Sequence, residues 1–287
     1  MAAENAQAEA QADPNQPFYD KALTALRDLF EKAKAAQELH FAMSLMPELR
    51  GAQDGGWNTA EESVRAYDDF EALVKKMSKD DLRRVRVLLS FYLHVSEGSG
   101  FYEIPKKMML TIEGKGNNLY PFQKLVKKYR RTGKAIAPNA NAIMKDMMGH
   151  AYDLGLYDLS DIFKDAFDSD VRNAVAHADY TLVSDGMRLR RRNGGQPREI
   201  MWADLEAILC KGLNFFSFVR QIAHGYVTSY DPPKTIKSRM AGNEPITDWT
   251  IYYGPNAGTF GFCSAASPPT GYDVVKPQPE IRSISPT

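Results

Sequence analysis

The 287 residues carry 36 Lys and Arg against 36 Asp and Glu, so the net charge is zero and gives no overall attraction to nucleic acid or to an anionic membrane. A chain of this length supports a sizeable hydrophobic core, and its two cysteines, Cys210 and Cys263, are too few for a disulfide framework or a four-cysteine zinc site. No run of about 18 apolar residues is long enough to cross a bilayer. The first sixteen residues, rich in Ala, Gln, Asn and Glu, lack the basic start and apolar run of a secretory signal. The expectation is a cytoplasmic protein without membrane contact, with a disordered tail over residues 1–16.

Apolar residues at Phe18, Ala22, Leu26, Leu29, Phe30 and Ala33, continued by Ala36, Leu39 and Met43, predict one amphipathic helix over 17–46. Pro47 and the glycines between Gly51 and Gly56 end it. Thr59-Ala60-Glu61-Glu62 approximates a capping box and opens a helix to about Met77. Ser78 caps the next, over 79–94, with Leu82, Val85, Leu89 and Leu93 as its stripe. Gly98 and Gly100 interrupt the pattern, Pro105 marks the first turn of a short helix, and Gly114 and Gly116 close it. Residues 121–131 read as a basic helix. Further helices are expected over 140–154 and 159–176, the second broken near Asp168. The period then changes: Tyr180, Leu182 and Val183, a Ser184-Asp185-Gly186 turn, Met187 and Leu189, then Ile200 predict strands in a hairpin. Leu205, Ile208, Leu209, Leu213, Phe216, Val219 and Ile222 give a core helix from Trp202 to about Gly225. After Asp231-Pro232-Pro233, short strands over 249–253 and 259–263 and a Pro-rich tail follow. The chain is therefore expected to be mainly α, with a helical domain over 17–230, a β-hairpin insertion before the last core helix, and a small β-containing appendage over 231–287.

Charge is uneven along this frame. Sixteen acidic and nine basic residues lie between Met1 and Asp81, but two acidic and nine basic between Gly100 and Lys134. Lys124, Lys127, Lys128, Arg130 and Arg131 are interleaved with Tyr120, Phe122 and Tyr129, and a second run holds Arg188, Arg190, Arg191, Arg192 and Arg198. Two readings fit: a phosphate-binding face, or acidic and basic halves that pair with each other. For the first, Lys124, Lys127, Lys128, Arg130, Arg131, Arg190 and Arg192 are the candidate substrate contacts.

No Walker loop, dinucleotide fingerprint, serine elbow or Cys-His cluster occurs, so neither a cofactor nor a metal is expected. Of the five histidines, His177 is set apart by its neighbours in Arg172-Asn173-Ala174-Val175-Ala176-His177. On a helix Asn173 and His177 face one another four residues apart, so the amide can orient the imidazole. A titratable imidazole and a permanently charged, bidentate guanidinium are a minimal kit for cutting RNA without metal. Arg172, Asn173 and His177 are the candidate catalytic residues. The opposing reading pairs Arg172 with Asp168 or Asp170 and leaves His177 as a cation at a helix C-terminus.

The segment from Asp170 to Tyr180 resembles the signature of the HEPN superfamily, an Arg followed by a polar residue, usually Asn, and by His after four to six residues. The hairpin and the apolar helix after it also resemble bacterial members, and together the likeness covers residues 140–225. It implies an up-and-down bundle of about four core helices, a homodimer with a composite active site, and metal-independent endoribonuclease activity through the 2′-hydroxyl. It further implies a toxin or anti-phage defence role with an antitoxin or regulatory partner. The alternative class is a non-catalytic helical module that binds a partner protein or nucleic acid, since several members keep the bundle without nuclease activity. A third, a transferase acting on protein or RNA hydroxyls, is disfavoured by the lack of a nucleotide-binding loop.

Overall fold

A computed structural model describes residues 13–46, 59–190 and 195–274. It is mainly α, with small antiparallel sheets. Residues 1–12 of the expected tail lie outside the described residues, as do the Gly-rich stretch after Pro47, Arg191 and Arg192, and the C-terminal tail; residues 13–16 are ordered instead, with Asn15 buried and Gln16 opening the first helix.

The first expected helix is two: α1 (Gln16–Ala36) and α2 (Glu38–Ser44), separated at Gln37, whose extended backbone (φ −162°, ψ 93°) breaks the helical ladder. α3 (Thr59–Lys76) and α4 (Leu82–Glu97) follow, α4 capped by the Asp81 carboxylate, which accepts from the Arg83 N–H, rather than by Ser78. α5 (Ser99–Ile112) begins earlier than expected and carries Pro105 inside it rather than in its first turn. The expected basic helix over 121–131 is absent. Those residues form a 3-10 turn (Gln123–Leu125) and a two-residue strand β1 (Lys127–Lys128), paired with β2 (Ala135–Ile136). Phe122, Leu125, Val126 and Tyr129 do have helical spacing, but of these four only Phe122 is buried; the backbone turns extended at Val126 (φ −66°, ψ 124°) and β1 pairs back with β2, leaving Tyr129 half exposed.

α6 (Ala140–Asp153), α7 (Tyr157–Asp165) and α8 (Ser169–His177) agree with the expected helices, including the break at Asp168. The expected hairpin is a three-stranded meander, β3 (Tyr180–Val183), β4 (Gly186–Leu189) and β5 (Arg198–Met201). It leads into α9 (Trp202–Thr228). Beyond it β7 (Thr247–Gly254) and β8 (Thr259–Cys263) form as expected, joined by an additional strand, β6 (Lys234–Ser238).

The largest core gathers Leu26, Leu29 and Phe30 of α1 with Val95, Met108, Met147, Phe163, Phe215 and Phe216 from five other helices. α1 packs against α2, α5, α7 and α9. A second core joins Leu89 and Tyr92 of α4, Val171 and Ala174 of α8, Met187 and Leu189 of β4, Ile200 of β5, and Leu205 and Leu209 of α9. At its edge a Cβ on Gly212 would stand 2.5 Å from the Tyr92 ring, so only glycine lets α9 approach α4 this closely. The C-terminal sheet packs through Ile251 against Ala42 of α2 and Tyr230.

Candidate functional site

The second core determines how α8 is presented. Val171 and Ala174 are buried against the β3–β5 sheet and α4, so Arg172 and Asn173 lie at the flank of the helix and His177 at its exposed end. The helix starts sharply because the Asp168 carboxylate accepts from the backbone N–H groups of Asp170 and Val171, each at 3.0 Å. The Asp168 N–H in turn donates to the buried Tyr92 hydroxyl at 2.7 Å. The helix ends just as sharply. Ala178 adopts φ 55°, ψ 33°, the left-handed conformation usually left to glycine, and the Asp179 N–H donates to the Ala174 carbonyl at 2.8 Å. A non-glycine residue held there costs about 1 kcal/mol. The strain lies directly after His177, where it turns the chain out of the helix and into β3.

The carboxylates around the motif are divided in a way the sequence did not disclose. Arg198 of β5 pairs with Asp168 (2.8 Å) and Asp170 (3.3 Å). Arg172 pairs with neither. Its guanidinium is turned to Glu97, the last residue of α4, and donates to the Asn173 amide oxygen. The expected ion pair of Arg172 with Asp168 or Asp170 is thus replaced by one with Glu97. The amide oxygen of Asn173, expected to orient His177, instead holds Arg172. The Arg172 side chain is 11% exposed, its Nε has no acceptor among the described residues, and burial pulls its pKa below the ordinary value.

Glu97 is the residue that sequence reasoning missed. The helix expected over 79–94 stops short of Glu97; only the structure places this acid at the last position of α4, where the helix dipole disfavours it and a cation offsets it. Arg198 stood within the noted arginine run, but nothing in the sequence assigned it to Asp168 and Asp170.

The other expected contacts are dispersed. Lys124 is tied to Asp146 at 2.8 Å. Lys127, Lys128, Arg130 and Arg131 lie exposed on the β1–β2 hairpin and its turn, and Arg190 is exposed at the end of β4. Arg192 lies outside the described residues. An open depression of about 430 Å³ adjoins the start of α8, lined by Asp168, Arg198, Lys164 and Lys211 but not by Arg172 or His177.

A second polar cluster occupies the α5–α6 interface. Lys106, fully buried, forms an ion pair with Asp146 (2.8 Å) and meets His150 Nδ1 at 2.7 Å, and His150 Nε2 meets Glu113 at 2.9 Å. Burial, then the neighbouring Lys106 charge, push the His150 pKa down. Burial lowers Lys106 as well. For Asp146 burial opposes ionisation, but the two ammonium groups outweigh it and hold the carboxyl below its usual range. Among the described residues no group of three or more His, Cys, Asp or Glu is placed to hold a metal ion. No helix among them is long and apolar enough to cross a membrane.

No protein-family model matches the chain, and neither a curated protein nor a solved structure does.

Proposed function

We propose that this chain is a HEPN-type, metal-independent endoribonuclease of the cytoplasm, built as a helical bundle over 17–230 and acting as a homodimer with its two motifs in one cleft. The observation that supports this best is the division of carboxylates. Because Arg198 engages Asp168 and Asp170, Arg172 is not quenched by its own helix and presents a partly desolvated guanidinium beside Asn173. In the proposed reaction His177 takes the proton of the RNA 2′-hydroxyl. The 2′-oxygen forms a bond to phosphorus as the bond from phosphorus to the 5′-oxygen breaks. The departing oxygen gains a proton from water or from the partner copy's motif. Arg172 stabilises the charge that builds on the non-bridging phosphate oxygens. The products are a 2′,3′-cyclic phosphate and a 5′-hydroxyl, and no cofactor takes part.

The contact with Glu97 favours a second reading, a binding module in which Arg172 is a structural ion pair and RNA or a protein partner is held without cleavage. Mass spectrometry of RNA products separates the two. Cyclic phosphate ends that appear in EDTA and disappear in His177→Ala support the nuclease. Intact RNA bound by a folded protein supports the module. An antitoxin or regulatory partner and a defence role belong to the nuclease proposal.

A further inference from the structure

The β1–β2 hairpin is an unusual surface for a neutral protein. Between Gly114 and Lys145 there is no acidic residue, while Lys127, Lys128, Arg130, Arg131 and Lys134 fall within eight consecutive positions. Elsewhere exposed cations are repeatedly neutralised locally, as in Lys21 with Asp158 and Asp161, Arg65 with Glu61, Lys75 with Glu71, and Lys237 with Asp248. None of the five hairpin cations forms an ion pair among the described residues, and all five are exposed.

The hairpin is also a built element. Lys127 pairs with Ile136 and Lys128 with Ala135. The Tyr129 N–H donates to the Lys134 carbonyl and the Gly133 N–H to the Tyr129 carbonyl, each at 2.8 Å. Gly133 supplies the left-handed φ of 67° that closes the turn, so Arg130 and Arg131 are carried at its tip. The root is fixed to the helical body by Phe122, buried in the main core, and by the Lys124 pair with Asp146. Tyr129, half exposed, stands between the strand lysines and the tip arginines.

We propose that this hairpin is an arm for single-stranded RNA, in which Lys127, Lys128, Arg130 and Arg131 grip successive phosphates and Tyr129 stacks on an unpaired base. Charge complementarity favours this occupant. Alternation along β1 sends Lys127 and Lys128 to opposite faces, and the tip adds cations in a third direction. A strand threaded past the arm meets charge throughout. A membrane-surface segment would instead need one apolar face opposite a basic one, and Ile136 is the one large aliphatic side chain exposed on β1, β2 or their turn. The arm is rooted in the main core and on α6 rather than on α8, and its binding does not rest on the nuclease reading.

The test uses full-length His177→Ala protein in EDTA and a fluorescent, unstructured 20-nucleotide RNA, titrated by anisotropy between 50 and 200 mM KCl. Four phosphate contacts give a slope of log K against log salt of about −2.8, roughly a 50-fold loss of affinity across that range. The Lys127→Ala/Lys128→Ala/Arg130→Ala/Arg131→Ala variant is expected to bind at least ten-fold more weakly at 50 mM KCl, with most of the slope removed and an unchanged circular-dichroism melt. Tyr129→Ala is expected to weaken binding about five-fold at constant slope. The proposal is overturned if the four-fold variant keeps the parent's affinity and slope, if the parent fails to bind RNA at 50 mM KCl, or if it binds vesicles of anionic phospholipid and not RNA. Absence of cleavage by the wild type would bear on the motif alone, whereas this titration compares intact and four-fold substituted hairpins on one His177→Ala background and is read independently of it.

Discussion

Glu97→Gln removes the negative charge from Arg172 while keeping the side-chain shape. Hydrogen bonds to charged groups contribute about 1.5–3 kcal/mol, but the Glu97 side chain is 41% exposed, so solvent screening brings the pair down to about 1 kcal/mol. Relief of an anion at the C-terminal end of α4 offsets a few tenths of that. A stability loss of about 0.5–1 kcal/mol is therefore expected by urea unfolding. RNA affinity should move the other way. In the wild type a phosphate must displace the Glu97 carboxylate from the guanidinium. In the variant that competition is absent, so affinity for RNA rises by a comparable free energy, about two- to five-fold. The two readouts, unfolding midpoint and anisotropy on a His177→Ala background, thus carry opposite signs. Affinity that falls together with stability would refute the argument and make Glu97 a positioning residue for Arg172.

Lys106→Met leaves Asp146 with Lys124 alone and His150 Nδ1 without its partner. Because one partner of the carboxylate survives, the expected loss, about 2–3 kcal/mol, lies below the usual range for breaking a buried pair. In the same variant NMR should show the His150 pKa rising toward its ordinary value, and an unchanged titration would contradict the assigned Lys106 influence. His40 and His150 both have pKa values depressed by burial from 6.5. The unfolded chain then takes up protons first, so their contribution is complete above pH 6.5 and is lost as pH falls. Melting temperature should drop between pH 7.5 and 5.5, less steeply in His40→Gln, in which the Asn117 N–H loses the Nδ1 it reaches at 2.7 Å. An equal slope in the variant would remove His40 from this account. Ala178→Gly should stabilise by up to about 1 kcal/mol in chemical denaturation by relieving the left-handed alanine, whereas destabilisation would show that the alanine methyl has a packing role.

Much of the helical frame could be read directly from the sequence because α6, α7 and α9 bury continuous apolar stripes, and a stripe reports its own period. The break before α8 fell where expected, at Asp168, which the structure shows to be its cap, and the Ser184-Asp185-Gly186 turn marked the β3–β4 hairpin, to which pairing with β4 adds β5. Where the sequence misled, the deciding contacts lay outside the segment itself. Residues 121–131 have helical spacing at Phe122, Leu125, Val126 and Tyr129, but pairing of Lys127 with Ile136 and Lys128 with Ala135 overrides it. β6 has an extended conformation because β7 offers it a partner, a fact outside its own residues. In the candidate site, Asn173 and His177 stood out by their four-residue spacing and Arg172 by its place in the run that resembles the HEPN signature. The pairing that governs Arg172 joins positions 75 residues apart in sequence, Glu97 and Arg172, and the assignment of Asp168 to Arg198 crosses from α8 to β5. Charge identity along a chain does not say which cation meets which carboxylate once the elements pack.

The central claim is that Arg172 and His177 together cut RNA. Its most direct test is incubation of total RNA in EDTA with purified wild type, Arg172→Ala and His177→Ala, each shown to be folded by circular dichroism. The account expects cleavage by the wild type and at least a hundred-fold loss in either variant, in line with the usual contribution of a general base or of a charge-stabilising group. Cleavage retained by His177→Ala, or intact RNA in all three reactions, would contradict it.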